Sequence, residues 1–77
     1  MKVTLESTDK IVTLVIGGQE VPARIWEGFT AHGIACHAFI TRIAVRDTEN
    51  AAEFERDLQE QRKPSADVAA IPLRMIL

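Results

Sequence analysis

Two runs of strand-forming residues meet at Gly17-Gly18, and that junction restricts the fold of this chain more than any other feature. Ile11-Val12-Thr13-Leu14-Val15-Ile16 precedes it, and Gln19-Glu20-Val21-Pro22-Ala23-Arg24-Ile25-Trp26-Glu27 follows. A two-residue connection of the primed type needs positive φ at both positions, which glycine takes without steric cost. The pair therefore predicts a tight hairpin and sets its register, with Ile16 opposite Gln19, Leu14 opposite Val21 and Val12 opposite Ala23. Because side chains alternate between faces, Val12, Leu14, Ile16, Val21, Ala23 and Ile25 share one face, the expected core.

A second turn falls between Phe29 and Ile34, ahead of the apolar run Ala35–Val45. A two-residue loop, Ala31-His32, would set Val21 against Arg42 and bury a charge. A three-residue loop, Ala31-His32-Gly33, sets Ile25 opposite Phe39, Val21 opposite Ile43 and Gln19 near Val45. The second register keeps the core face apolar and places Gly33 where a type I turn followed by a G1 bulge requires a left-handed residue. Pro22 lies in the middle strand of this meander and has no N–H to give toward Arg42, so a break or bulge is expected there.

Beyond Val45 the pattern becomes helical. Asn50 followed by Glu53 reads as an N-cap with an acidic residue three places on, and Pro64 stops a helix that is expected to run through Arg62. Its apolar stripe of Ala51, Phe54 and Leu58 is narrow for a helix but can cover one face of a small sheet. A last strand is expected over Val68–Leu77, at an edge or starting late because of Pro72. Residues 1–10 are expected to be flexible or to add a short strand carrying Val3 and Leu5. The expected fold is thus a single α+β domain over residues 1–77: a three-stranded antiparallel meander, one helix packed on one face, and a C-terminal strand, in the order β-β-β-α-β.

At 77 residues the chain has room for one core, and such a short domain buries only about 60% of the surface its unfolded chain exposes. Disulfides, a metal or a second subunit usually add the missing stability. Cys36 is the only cysteine and no CxxC or Cys/His cluster occurs, so a second subunit is the addition left. The net charge of -2 and the absence of a basic run argue against a nucleic-acid role resting on global charge. Arg24, Arg42, Arg46 and Arg74 would have to gather on one side for that reading to hold. No apolar run approaches the length of a membrane span, and the N-terminus lacks the apolar stretch of a signal peptide, which predicts a cytoplasmic protein.

Four side chains are candidates for chemistry: Glu27, His32, Cys36 and His37. Cys36 and His37 are neighbours on a strand and point to opposite faces, which excludes a dyad between them. Glu27 falls opposite His37, and this polar pair is the one place where a small enzyme or ligand-binding protein could act. No GxGxxG, P-loop, HExxH or GxSxG pattern occurs, and no catalytic residue, cofactor site or metal site is assigned. The face opposite the core carries Arg24, Trp26 and Ile40, with Ile11, Thr13 and Val15 on the neighbouring strand. One helix cannot shield both faces, so this face must be covered by the N-terminal stretch, another subunit or a ligand. Trp and Arg are frequent interface anchors, so Arg24, Trp26 and Ile40 are the expected interface residues.

The stretches Val21–Gly28, Phe39-Ile40-Thr41-Arg42-Ile43, Phe54-Glu55-Arg56 and Ile71-Pro72-Leu73-Arg74 resemble those of small uncharacterised bacterial proteins, some carried by mobile genetic elements. The resemblance covers most of the chain from Ile11 onward and implies a bacterial, cytoplasmic setting but no activity. The sequence is therefore read as a non-enzymatic interaction module that forms a homo-oligomer or binds a protein partner through the Trp26 face. A nucleic-acid-binding accessory protein is the alternative, and a small enzyme using His37 and Glu27 the third.

Overall fold

A computed structural model describes all residues from Met1 to Leu77. Three antiparallel strands, β1 (Val3–Ile16), β2 (Gln19–Thr30) and β3 (Ala35–Ile40), are followed by two short helices, α1 (Ala51–Leu58) and α2 (Ala66–Ala69), and a last strand, β4 (Arg74–Ile76). The sheet order is β3-β2-β1-β4. Both turns form as the glycines require. Gly17 and Gly18 have φ of 57° and 81°, and Ile16 stands opposite Gln19. At the second turn Gly33 has φ of 82°, Thr30 and Ile34 close the loop, and Ile25 pairs with Phe39.

β1 is one long strand, because the N-terminal stretch continues it instead of folding over the sheet or forming a separate strand. Its two halves pair with β2 on either side of a bulge. Ser7 faces Trp26 and Ile11 faces Arg24, so β1 has two residues more than β2 in this interval and Ile25 has no partner on β1. Ile25 is nevertheless fully buried. Its carbonyl accepts a hydrogen bond from the Thr8 Oγ1 hydroxyl at 2.7 Å, and Thr8 is itself fully buried. The hydroxyl replaces the missing strand neighbour, and so avoids the cost of leaving a carbonyl unpaired in the core.

Four expectations need correction. β3 ends at Ile40, so the pairing of Val21 with Ile43 does not form. Pro22 offers no donor at the next bonding position, and the ladder stops short of it. α1 ends at Leu58 instead of Arg62, because the residues after it bond to β1. Arg62 N–H donates to Ser7 O, Asp9 N–H donates to Arg62 O, and Ser7 Oγ donates to Glu60 O at 2.7 Å. There are two helices, not one: Ser65 caps α2, which takes up Val68 from the start of the expected last strand. The last strand is correspondingly only three residues long, and it runs parallel to β1, with Leu14 opposite Met75.

The core lies on the expected face but is filled from a different source. Val12, Leu14, Ala23 and Ile25 are buried there, with Phe39 and Met75 against them. Val68 of α2 and Ile71 close it, while no residue of α1 is buried. Ile16 is exposed at the hairpin end. Lys10 ties α2 to β1 by donating from Nζ to the carbonyls of Ala69 and Ile71. The result is loosely covered. Its accessible surface is 6024 Å² for a mass of 8.5 kDa, whereas a compact monomer of that mass exposes about 4,700 Å². Its radius of gyration of 13.8 Å likewise exceeds the roughly 11.5 Å of a compact chain this long.

Two glycines separate conformational strain from collision. A Cβ on Gly33 meets nothing, so Gly33→Ala suffers only from its positive φ, about 1 kcal/mol. A Cβ on Gly28 would lie 1.9 Å from the carbonyl oxygen of Thr4, and moving a backbone out of the way should cost roughly 2–3 kcal/mol. Urea unfolding of the two variants is expected to rank Gly28→Ala as the more destabilised, and equal stabilities would show that β1 gives way freely at Thr4.

Candidate functional site

The sheet face opposite the core is built from alternate residues: Ile11, Thr13 and Val15 of β1, Pro22, Arg24 and Trp26 of β2, and Ala38 and Ile40 of β3. β4 adds Arg74 and Ile76, which stand beside Thr13 and Val15. Arg24, Trp26 and Ile40, the residues expected at an interface, all fall together here and are half-buried. They line a hollow of about 280 Å³ with Ile11, Ile43 and Leu58. Arg42 and Asp57 stand at the same hollow and supply its outer charges.

α1 therefore flanks this face and not the core. Phe54 and Leu58 remain only partly buried, and of the two Leu58 borders the hollow. Ile43, expected opposite Val21 in the core, borders it too and stays 45% exposed. Ile11 is 50% exposed and Ile76 79% exposed on the same side of the sheet. On the other flank of Trp26 lies a polar groove of about 380 Å³, bordered by Glu6, Asp57, Glu60 and Arg62. The indole thus separates an apolar hollow from a polar one.

Arg24 owes its position to the bulge. Its Nη1 donates to the carbonyl of Thr8 at 2.8 Å, which binds the guanidinium to β1. Arg74 is paired with Glu20 across the face.

The second candidate, Glu27 with His37, is placed on the core face. The two residues are register partners, as expected, but the Glu27 carboxylate is directed elsewhere. Its Oε2 accepts from the Ser65 N–H at 2.7 Å and lies 3.5 Å from Arg62 Nη1, with the Glu27 side chain only 11% exposed. The Ser65 amide hydrogen bond holds this carboxyl below the ordinary glutamate range, with Arg62 and His37 assisting and burial opposing. His37 is exposed and packs edge-on to Phe39, with ring centroids 5.5 Å apart. Cys36 lies on the opposite face from His37, across from Gly28, and is half-buried. His32 sits exposed in the Gly33 turn. No three His, Cys, Asp or Glu side chains converge as a metal-ligand group.

Arg62 and Ser65 are the partners that the sequence did not disclose. Nothing in the spacing of Glu27 and Ser65 signals that they meet, since the contact depends on where the helix ends and the chain turns. The N-cap role of Ser65, three residues ahead of Val68, was the available signal for α2, because its hydroxyl accepts from the Val68 N–H.

Because the folded carboxyl has the lower pKa, the stability it contributes is fully present above the ordinary glutamate range. That stability is lost as the pH falls through the folded value. Glu27→Ala is expected to destabilise the chain by about 1.5–3 kcal/mol at neutral pH, the usual worth of a hydrogen bond to a charged group. The difference from the parent chain should shrink on acidification, as followed by urea unfolding across a pH series. A deficit that stays constant with pH would show that the ionised form gives no advantage.

The chain matches no family model, and neither a curated protein nor a solved structure is significantly similar to it.

Proposed function

We propose that this chain is a non-enzymatic interaction module whose Trp26 face receives a protein partner. The observation that carries the reading is the hollow of Ile11, Trp26, Ile40, Ile43 and Leu58, which neither the core nor α1 fills. Its size suits one or two apolar side chains of a partner, and Trp26 is the kind of residue around which binding energy concentrates. Arg42 and Asp57 beside it give a polar rim able to orient what enters. The surplus surface supports the same reading, because roughly 1,300 Å² beyond a compact monomer is more than the 800 Å² or so that each side of a standard interface buries.

The basic residues favour a protein partner over nucleic acid. Arg24, Arg42 and Arg74 do lie toward the Trp26 face, but Arg24 is bonded to the Thr8 carbonyl, Arg74 is paired with Glu20, and Asp57 borders the same hollow as Arg42. Lys63 is likewise paired with Asp9, and Arg62 with Glu6 and Glu27. Phosphates would compete with the carboxylates of these pairs, and the chain as a whole repels polyanions through its net charge of -2.

Immobilised full-length chain is expected to retain a protein from a bacterial lysate that Ile43→Glu and Ile11→Glu chains fail to retain. Both positions are exposed enough to accept a charge without unfolding. Phe29→Glu, at a residue 57% exposed on the opposite face, should retain the same protein. Equal capture by all four chains, or retention of nucleic acid that salt removes, would refute the reading.

A further inference from the structure

The sheet has a free edge at β3, and its chemistry differs from that of the other free edges. Thr30 N–H donates to Ile34 O, which makes the even-numbered pairs Gly28–Cys36, Trp26–Ala38 and Arg24–Ile40 the hydrogen-bonded ones. The N–H and C=O groups of Ala35, His37 and Phe39 therefore point away from β2, and none of them bonds elsewhere in the chain. Such a row is a template for another strand, and natural edges are usually guarded by charge, proline, a bulge or shortness. The segment from Ile34 to Ile40 has no Lys, Arg, Asp, Glu or Pro, and its ladder has no bulge. By contrast, β4 is three residues long, follows Pro72 and carries Arg74. The free part of β1 carries Glu6 and follows Lys2.

We propose that β3 is a dimerisation edge, on which the β3 strand of a second copy pairs antiparallel about a two-fold axis to form one continuous eight-stranded sheet. A second copy fits this edge for three reasons. It presents the identical outward groups, so one isologous contact satisfies both edges and closes on itself. With no fixed charge on the strand, like residues come together without repulsion. Ala35 and His37 are exposed, so the edge is open to a second strand.

The geometry has a further consequence. Residues facing each other across an antiparallel pair lie on the same side of the sheet, so both Trp26 faces would point the same way. The dimer would present two hollows on one surface. The pairing itself uses only the backbone edge and stands whatever the hollow binds.

Sedimentation velocity of the full chain is expected to show a species of twice 8.5 kDa that grows with concentration. His37→Pro removes an outward N–H without removing a bond to β2, and His37→Lys brings two ammonium groups near the axis. Each should weaken the dimer by roughly tenfold or more while the circular dichroism stays unchanged. In the dimer of the native chain, the amides of Ala35, His37 and Phe39 should gain protection from hydrogen exchange, joining those of Cys36, Ala38 and Ile40. If His37→Pro fails to fold, His37→Lys and this exchange pattern decide the matter. A monomer at about 1 mM, or a dimer in which the amides of Ala35, His37 and Phe39 still exchange freely, overturns the proposal. So does a dimer lost in Ile43→Glu but kept in both His37 variants.

Discussion

The bond from the Thr8 hydroxyl to the carbonyl of Ile25 is the interaction on which the other features rest. It lets β1 carry two extra residues opposite a fully buried position without leaving that carbonyl unpaired. The bulge in turn exposes the backbone of residues 7 to 9 to the segment after α1. There Ser7 O and Asp9 N–H bond Arg62, forming a single parallel bridge. From that anchor the chain reaches Ser65, whose amide meets Glu27, and then Val68, which closes the core. A side chain at one irregular position thus determines where the second half of the molecule attaches.

What could be read from the sequence was what neighbouring residues decide among themselves. Gly17-Gly18 and Gly33 specify turn geometry through their own backbone freedom, and alternation then carries the register outward to Val12, Ala23, Ile25 and Phe39. The grouping of Arg24, Trp26 and Ile40 followed from the same parity. The parts that were not legible depend on competition between distant groups. Helix-forming residues after Leu58 are drawn off by bonds to Ser7 and Asp9, and the apolar run after Ile40 has no partner because Pro22 withholds one. Val68 is a good strand residue that Ser65 commits to a helical turn. Alternation could indicate that the last segment was a strand, but not that it would lie parallel beside β1.

A few charged side chains act as fasteners in this protein. Lys10 closes the end of α2, Arg24 braces the bulge, Arg62 joins the Glu27 carboxylate, and Arg74 is matched by Glu20. These contacts fasten short elements that a small core cannot hold by burial alone. Between the exposed charges three apolar features remain outward: the hollow beside Trp26, Ile76 beyond it, and the uncharged edge of β3.

The parallel attachment of β4 bears on the order in which the molecule assembles. The two hairpins join residues close in the chain, whereas pairing Thr13 with Arg74 closes nearly the whole chain into one loop. Loop-closure entropy must be overcome before such a distant pairing is rewarded, and it delays pairings of this kind relative to local ones. During that interval Val12 and Leu14 lack Val68 and Met75 above them, and β1 is open along the edge that β4 later occupies. The arrangement that completes the core is thus also the one that leaves the meander longest in an adhesive, half-covered form.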